Sequence, residues 1–165
     1  MPELFRDAVL VAATLTTGLA AGLYYGFACA VMPGLGRADD RTLVTAMRQI
    51  NAAILNGWFL LLFLGGPAMT ALAAVLSFGA ADRADLPWTI GALAGHAVVL
   101  GGTFARNVPL NNALDRSAAP GAPASPETAR VGFEKPWVRW NAVRTVAATV
   151  AFGCLVMALA APVGG

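Results

Sequence analysis

At 165 residues, 58% apolar and only 12% charged, with a mean hydropathy of +0.66, this chain would make a poor water-facing surface. A net charge of +2, with eleven Lys and Arg scattered rather than gathered on one aromatic-studded face, excludes nucleic acid as a partner. What remains is an all-α polytopic membrane protein, a four-helix bundle running up-down-up-down as a single membrane domain over 1–165, with no length left for a separate soluble domain.

Four stretches carry no charge: Ala8–Met32, Gln49–Ala81, Leu86–Ala105 and Thr145–Gly165. Each has the roughly 20 residues a helix needs to cross the hydrocarbon core, and the absence of strict alternation does not suit a barrel. The expected spans are about 8–32, 53–80, 87–106 and 142–162. Near the end of the first, Ala28-Cys29-Ala30 imitates a cleavage site, but Glu3 and Asp7 beside Arg6, and an apolar run longer than a signal core, predict a retained helix. Gly18, Gly22, Gly26 and Ala30 form a small-residue stripe on which a neighbouring helix can approach closely. Cys29 and Cys154 differ in depth, which argues against a disulfide.

Residues 41–51 predict an interfacial helix capped by Asp39 or Asp40, with Leu43, Met47 and Ile50 as its apolar face, running into the second span. Gly65-Gly66-Pro67 predicts a kink there, because Pro67 lacks an N–H. Asp82–Pro87 is a short turn, and Gly91 and Gly95 repeat the small-residue device in the third span. The connection over about 113–134 reads as a flexible loop, above all Ser117–Pro126, and Arg130 falls in it, where water solvates it. A faint echo links the two hairpins: Val31-Met32-Pro33-Gly34-Leu35 resembles Asn107-Val108-Pro109-Leu110-Asn111 in closing a span.

Nine of the eleven basic residues fall in loops one and three or the helix ends beside them; only Arg6 and Arg83 lie opposite. That asymmetry places loops one and three in the cytoplasm of a cell with the protein in its plasma membrane, and both termini outside. The lipid bilayer is thus one partner, and the small-residue faces leave a homo-oligomer open.

The densest polar constellation lies where span three ends and span four begins. Trp137, Trp140, Asn141 and Arg144 fall at i, i+3, i+4 and i+7 on one helix face, and Arg106, Asn107, Asn111, Asn112, Arg48, Asn51 and Asn56 belong to the same membrane side. Two readings stand. Together these residues build a pocket with aromatic walls, amides and fixed positive charge for a planar, phenolic or anionic small molecule. Alternatively the Trp residues are interfacial anchors and the arginines reach lipid headgroups. His96, the single histidine, lies inside the third span on the face of Thr103, either as a functional group or as a neutral imidazole bonded to a neighbouring helix. Tyr24 and Tyr25 read as packing residues, Tyr25 toward the cluster side. One histidine, two separated cysteines and no carboxylate in a span offer no metal set, and no dinucleotide or phosphate-loop fingerprint occurs.

Four motifs in order, GLYYGFACAVMPGL over Gly22–Leu35, MRQIN over Met47–Asn51, NVPLN over Asn107–Asn111 and WVRWNAVR over Trp137–Arg144, resemble the anthrone-oxygenase-like family. The resemblance spans nearly the whole chain and implies a four-helix membrane protein that oxidises an anthrone-type phenolic or polyketide-like aromatic with O2 and without a bound cofactor. It implies Arg144 and Arg48 as oxyanion holders, Asn107, Asn111, Asn141 and Asn51 as orienting groups, Trp137, Trp140 and Tyr25 along the ligand, and His96 as proton acceptor. The rival class is a non-enzymatic membrane module that binds a lipid, quinone or partner protein in the same pocket.

Overall fold

In lipid a run of Leu, Ala, Val and Gly satisfies its backbone only as helix, and in the computed structural model, which describes residues 2–80, 83–117 and 125–161, it does so in four rods long and apolar enough to cross a membrane. The first rod is α1 (Pro2–Gly26), a π-turn (Phe27–Val31) and α2 (Met32–Leu35). α3 (Asp40–Ala53) follows, then the second rod, α4 (Gly57–Gly79). α5 (Leu86–Gly102), a second π-turn (Thr103–Asn107) and α6 (Val108–Ser117) make the third, and α7 (Pro126–Ala160) the fourth. No strand occurs among the described residues. α1 packs on α4 and α7, and α5 on α7 and α4, so the rods close into a four-helix membrane bundle. Outward-facing Leu15, Leu19, Val75, Ile90, Val146 and Val150 present the apolar coat that lipid requires.

The echo between the two hairpins has a structural counterpart. Each π-turn starts six residues before a proline, Phe27 before Pro33 and Thr103 before Pro109. The Met32 N–H reaches back to the Phe27 carbonyl and the Val108 N–H to the Thr103 carbonyl, the widened i→i+5 bond of a π-bulge. A proline removes a donor from the ladder, and the extra residue re-registers the turn before it. Pro67, by contrast, lies inside an unbroken α4.

Helix contact depends on small residues, though not all of those in the predicted stripe. A Cβ on Gly95 would meet the Ala147 carbonyl oxygen at 2.8 Å and the Ala151 Cβ at 2.9 Å, so α5 and α7 touch backbone to backbone there. A Cβ on Gly18 would meet the Phe152 ring at 2.8 Å, whereas one on Gly22 or Gly26 would meet nothing within 4 Å. The close approach therefore involves one end of the first-span stripe only. Buried Val9, Leu10, Ala13, Ala73, Ala92, Ala151, Leu155 and Ala158 form the core at that end, where Ser77 donates to buried Asp85 and Arg6 Nε stands 3.9 Å from the same carboxylate.

At the opposite end α3 departs from an interfacial helix. Its cap is Asp39, whose carboxylate accepts from the Thr42 hydroxyl at 2.6 Å and N–H at 3.0 Å, and these bonds, the hydroxyl's first, hold the carboxyl below its ordinary range. Its apolar face turns to protein: Leu43, Val44 and Met47 are buried with Leu114, Phe133 and Trp137 of α6 and α7. α3 therefore roofs the bundle, and the joint Ile54–Asn56 separates it from α4, with Asn56 capping α4 through Phe59 N–H.

Most of the predicted loop over 113–134 is ordered helix. Residues 113–117 end α6 and 126–134 open α7, because Ser125 caps the helix, Pro126 suits its first turn, and Ala129 and Phe133 are buried against the roof. Residues 118–124 of the Ser117–Pro126 segment lie outside the described residues. Arg130 is likewise not a solvated arginine. It donates to Glu134 at 2.6 Å, Asp40 at 3.0 Å, and the carbonyls of Ala38 at 2.9 Å and Gly36 at 2.8 Å, tying α7 to the turn before α3.

Candidate functional site

Under the roof formed by α3 lies a cavity of about 480 Å³, a size that suits a small organic ligand. α1 and the first π-turn supply Leu23, Tyr24 and Phe27; α3 and its joint supply Ile50, Asn51, Ile54 and Leu55; α4 supplies Phe59. The second π-turn and α6 supply Thr103, Asn107, Val108, Asn111, Asn112 and Asp115, and α7 supplies Trp137 and Arg144. Both π-turns thus touch it, as such bulges often do at sites. Thr103, Asn107, Asn111 and Asp115 recur every four residues, a polar ladder from the bundle interior to the cavity mouth.

Five of the ten residues singled out from the sequence line this cavity: Asn51, Asn107, Asn111, Trp137 and Arg144. Trp137 is 4% exposed and its indole N–H donates to Asn111 Oδ1 at 3.0 Å, so it is a wall, not an interfacial anchor. Its ring meets Phe27 at 5.5 Å between centroids. Asn141 stands directly behind: its amide N–H donates to the Tyr24 carbonyl at 3.0 Å and its Oδ1 accepts from the Arg144 guanidinium at 2.8 Å. Arg48 is at the rim, its Nε 2.9 Å from Asp115.

The other three face elsewhere. Trp140 is half-buried with the exposed Arg106 over its ring at 5.5 Å; a helical step of about 100° per residue carries it to the flank of the Trp137–Arg144 face. Tyr25 is 60% exposed, and the same step brings its neighbour Tyr24 inward instead. His96 is buried with Nε2 3.3 Å from Thr17 Oγ1 and 3.2 Å from Thr70 Oγ1, joining α1, α4 and α5, and does not line the cavity. The sequence reading took Tyr24 for a packing residue and passed over Phe59 and Asp115. For Asp115 a signal existed, the four-residue spacing from Thr103; for Tyr24 and Phe59 none did, since apolar helices are full of aromatics.

The site's electrostatics centre on Arg144. It is 7% exposed, with its guanidinium 4.8 Å from the Tyr24 ring centroid and 5.5 Å from that of Trp137, and none of the ion pairs among the described residues includes it. Six buried polar atoms on five cavity residues have no hydrogen-bond partner among the described residues: Tyr24 Oη, Asn51 Nδ2, Thr103 Oγ1, Asn107 Nδ2 and Oδ1, and Arg144 Nε. Each such group costs about 1–3 kcal/mol when left unbonded, so their gathering around one cavity marks a surface built to receive polar atoms. Among the described residues no group of three or more His, Cys, Asp or Glu is placed to hold a metal ion.

No curated protein and no solved structure matches this chain. Residues 58–154, more than half of the chain and the part that supplies Phe59, the ladder from Thr103 to Asp115, Trp137 and Arg144, match the anthrone oxygenase family, and the chain belongs to that family.

Proposed function

We propose that the cavity binds a planar aromatic ketone with an acidic ring CH2, of the anthrone type, and promotes its oxidation by O2. The observation that carries this reading is the buried Arg144, facing the cavity without an acidic partner among the described residues. Such a charge is costly in a membrane protein unless an anion meets it. Loss of a proton from the CH2 makes an oxyanion conjugated through the rings. Opposite Arg144 that anion is stabilised, and the electron-rich carbon reacts with O2 directly. The balance is one CH2 and one O2 giving one C=O and one water, with no further oxidant.

Trp137 and Phe27 supply flat walls, Asn51, Asn107 and Asn111 orient oxygen substituents, and Asn141 holds Arg144 in place. Asp115, held by Arg48, is the carboxylate on the cavity wall, and it receives the proton at a mouth where water can carry it away. His96 keeps a positioning role among three helices. Purified protein given anthrone should consume O2 in step with quinone absorbance, faster than buffer alone. Anthrone binding without O2 uptake would instead make the protein a membrane binding module.

The charge asymmetry supports loops one and three in the cytoplasm, which puts the cavity at the cytoplasmic face of the plasma membrane. Reporter fusions within 118–124 and at the C-terminus should then report cytoplasmic and external positions respectively, and a cytoplasmic C-terminus overturns this orientation.

A further inference from the structure

We propose that Tyr24 is a ligand-binding residue whose hydroxyl donates a hydrogen bond to the same ligand oxygen that Arg144 Nε contacts, so that the two form a donor pair selecting a ring system with an exposed keto or enolate oxygen. The inference rests on the reading of the cavity as an aromatic-ketone site and adds the group that recognises the oxygen. Tyr24 is 3% exposed, it lines the cavity, and its Oη has no partner among the described residues, although a buried phenol ordinarily finds one. Arg144 lies over its ring at 4.8 Å.

One amide aligns the two donors. Asn141 gives its N–H to the Tyr24 main-chain carbonyl at 3.0 Å and takes a hydrogen bond from Arg144 at 2.8 Å, which links α1 to α7 and sets the tyrosine and the guanidinium in register. Asn141 is itself 1% exposed, so its contacts serve the alignment and not the ligand. Two aligned donors on one oxygen discriminate strongly, because a ligand without that oxygen leaves both unbonded. Tyr24 has the further property that its hydroxyl bonds to no other described residue.

That last point gives the test a sign that a structural tyrosine would not show. Tyr24→Phe should leave the melting temperature of the ligand-free protein in detergent unchanged or raised, since it deletes an unbonded buried hydroxyl. The same variant should weaken binding of anthrone about tenfold and leave binding of anthracene, the same ring outline without oxygen, unchanged. Asn141→Ala, which removes the alignment and not the donors, should also erase the preference for anthrone over anthracene. Equal losses for both ligands, an unchanged anthrone affinity, or a lowered melting temperature in Tyr24→Phe overturns the proposal. Wild-type protein that prefers anthrone yet takes up no O2 removes the oxygenase reading and leaves the donor pair standing; wild-type protein without that preference removes both.

Discussion

Arg144→Ala should abolish most of the anthrone affinity and turnover while leaving the bundle folded. Among the described residues the guanidinium is the one fixed positive charge on the cavity wall, and a charge-assisted hydrogen bond at a desolvated site contributes about 2–3 kcal/mol, or roughly a hundredfold in affinity or rate. Its removal takes away a buried charge that no acidic side chain among the described residues balances, and what it leaves is one unpaired acceptor, Asn141 Oδ1. Those changes oppose each other, so the melting temperature should move little. Arg144→Lys should not rescue, because a compact ammonium cannot both donate to Asn141 and keep the guanidinium's contacts over the Tyr24 and Trp137 rings. Arg139, exposed on the same helix, is the control. Titration of both alanine variants with anthrone in detergent, beside their melting curves, decides it: equal affinities would remove Arg144 from the site.

Arg130→Ala should act first on stability, with the larger fall in melting temperature of the two. Four hydrogen bonds radiate from this side chain, two to carboxylates and two to the Gly36 and Ala38 carbonyls. Three of them, to Asp40 and the two carbonyls, tie α7 to α3 and the turn that launches it. Without them the roof keeps its apolar contacts through Leu43 and Met47 and the Arg48–Asp115 pair at the rim, and two acids lose their counter-charge. The melting temperature should fall by several degrees, and anthrone affinity should fall with it because Asn51, Ile54 and Leu55 reach the cavity from α3 and its joint. Arg130→Lys should restore little, since a single ammonium cannot bond to four acceptors spread around a planar fork. Protection of the α3 amides from hydrogen exchange is the direct readout, and undiminished protection would show that the roof holds without this residue.

These two arginines show what a linear reading can and cannot assign. Both precede or enter the same apolar run, and by charge pattern alone each is equally a topology signal. Arg144 is recognisable because Trp137 and Asn141 share its helical face. Arg130 has no such company in sequence, since three of its four partners lie about ninety residues earlier, on the far side of two spans.

The spans, their helical state and the bundle class follow from composition, because lipid leaves an uncharged run of this length only one way to bond its backbone. The polar faces of α6 and α7 were legible for a related reason: helical periodicity ties residues four apart to one side, and Asn107, Asn111, Trp137 and Arg144 all keep that promise. What the amino-acid order could not decide is which side faces inward at single-residue resolution. A step of about 100° separates Tyr24 from Tyr25, and only the packing of α1 on α4 and α7 chooses Tyr24 for the cavity. Nor could periodicity show that His96, two turns from Thr103 on the same face, finds hydroxyls on two neighbouring helices instead of the cavity. The roof was open as well: an amphipathic helix beside a membrane can lay its apolar face on lipid or on protein. Leu43 and Met47 choose protein because Phe133, Leu114 and Trp137 present a complementary surface that exists only once α6 and α7 have come together.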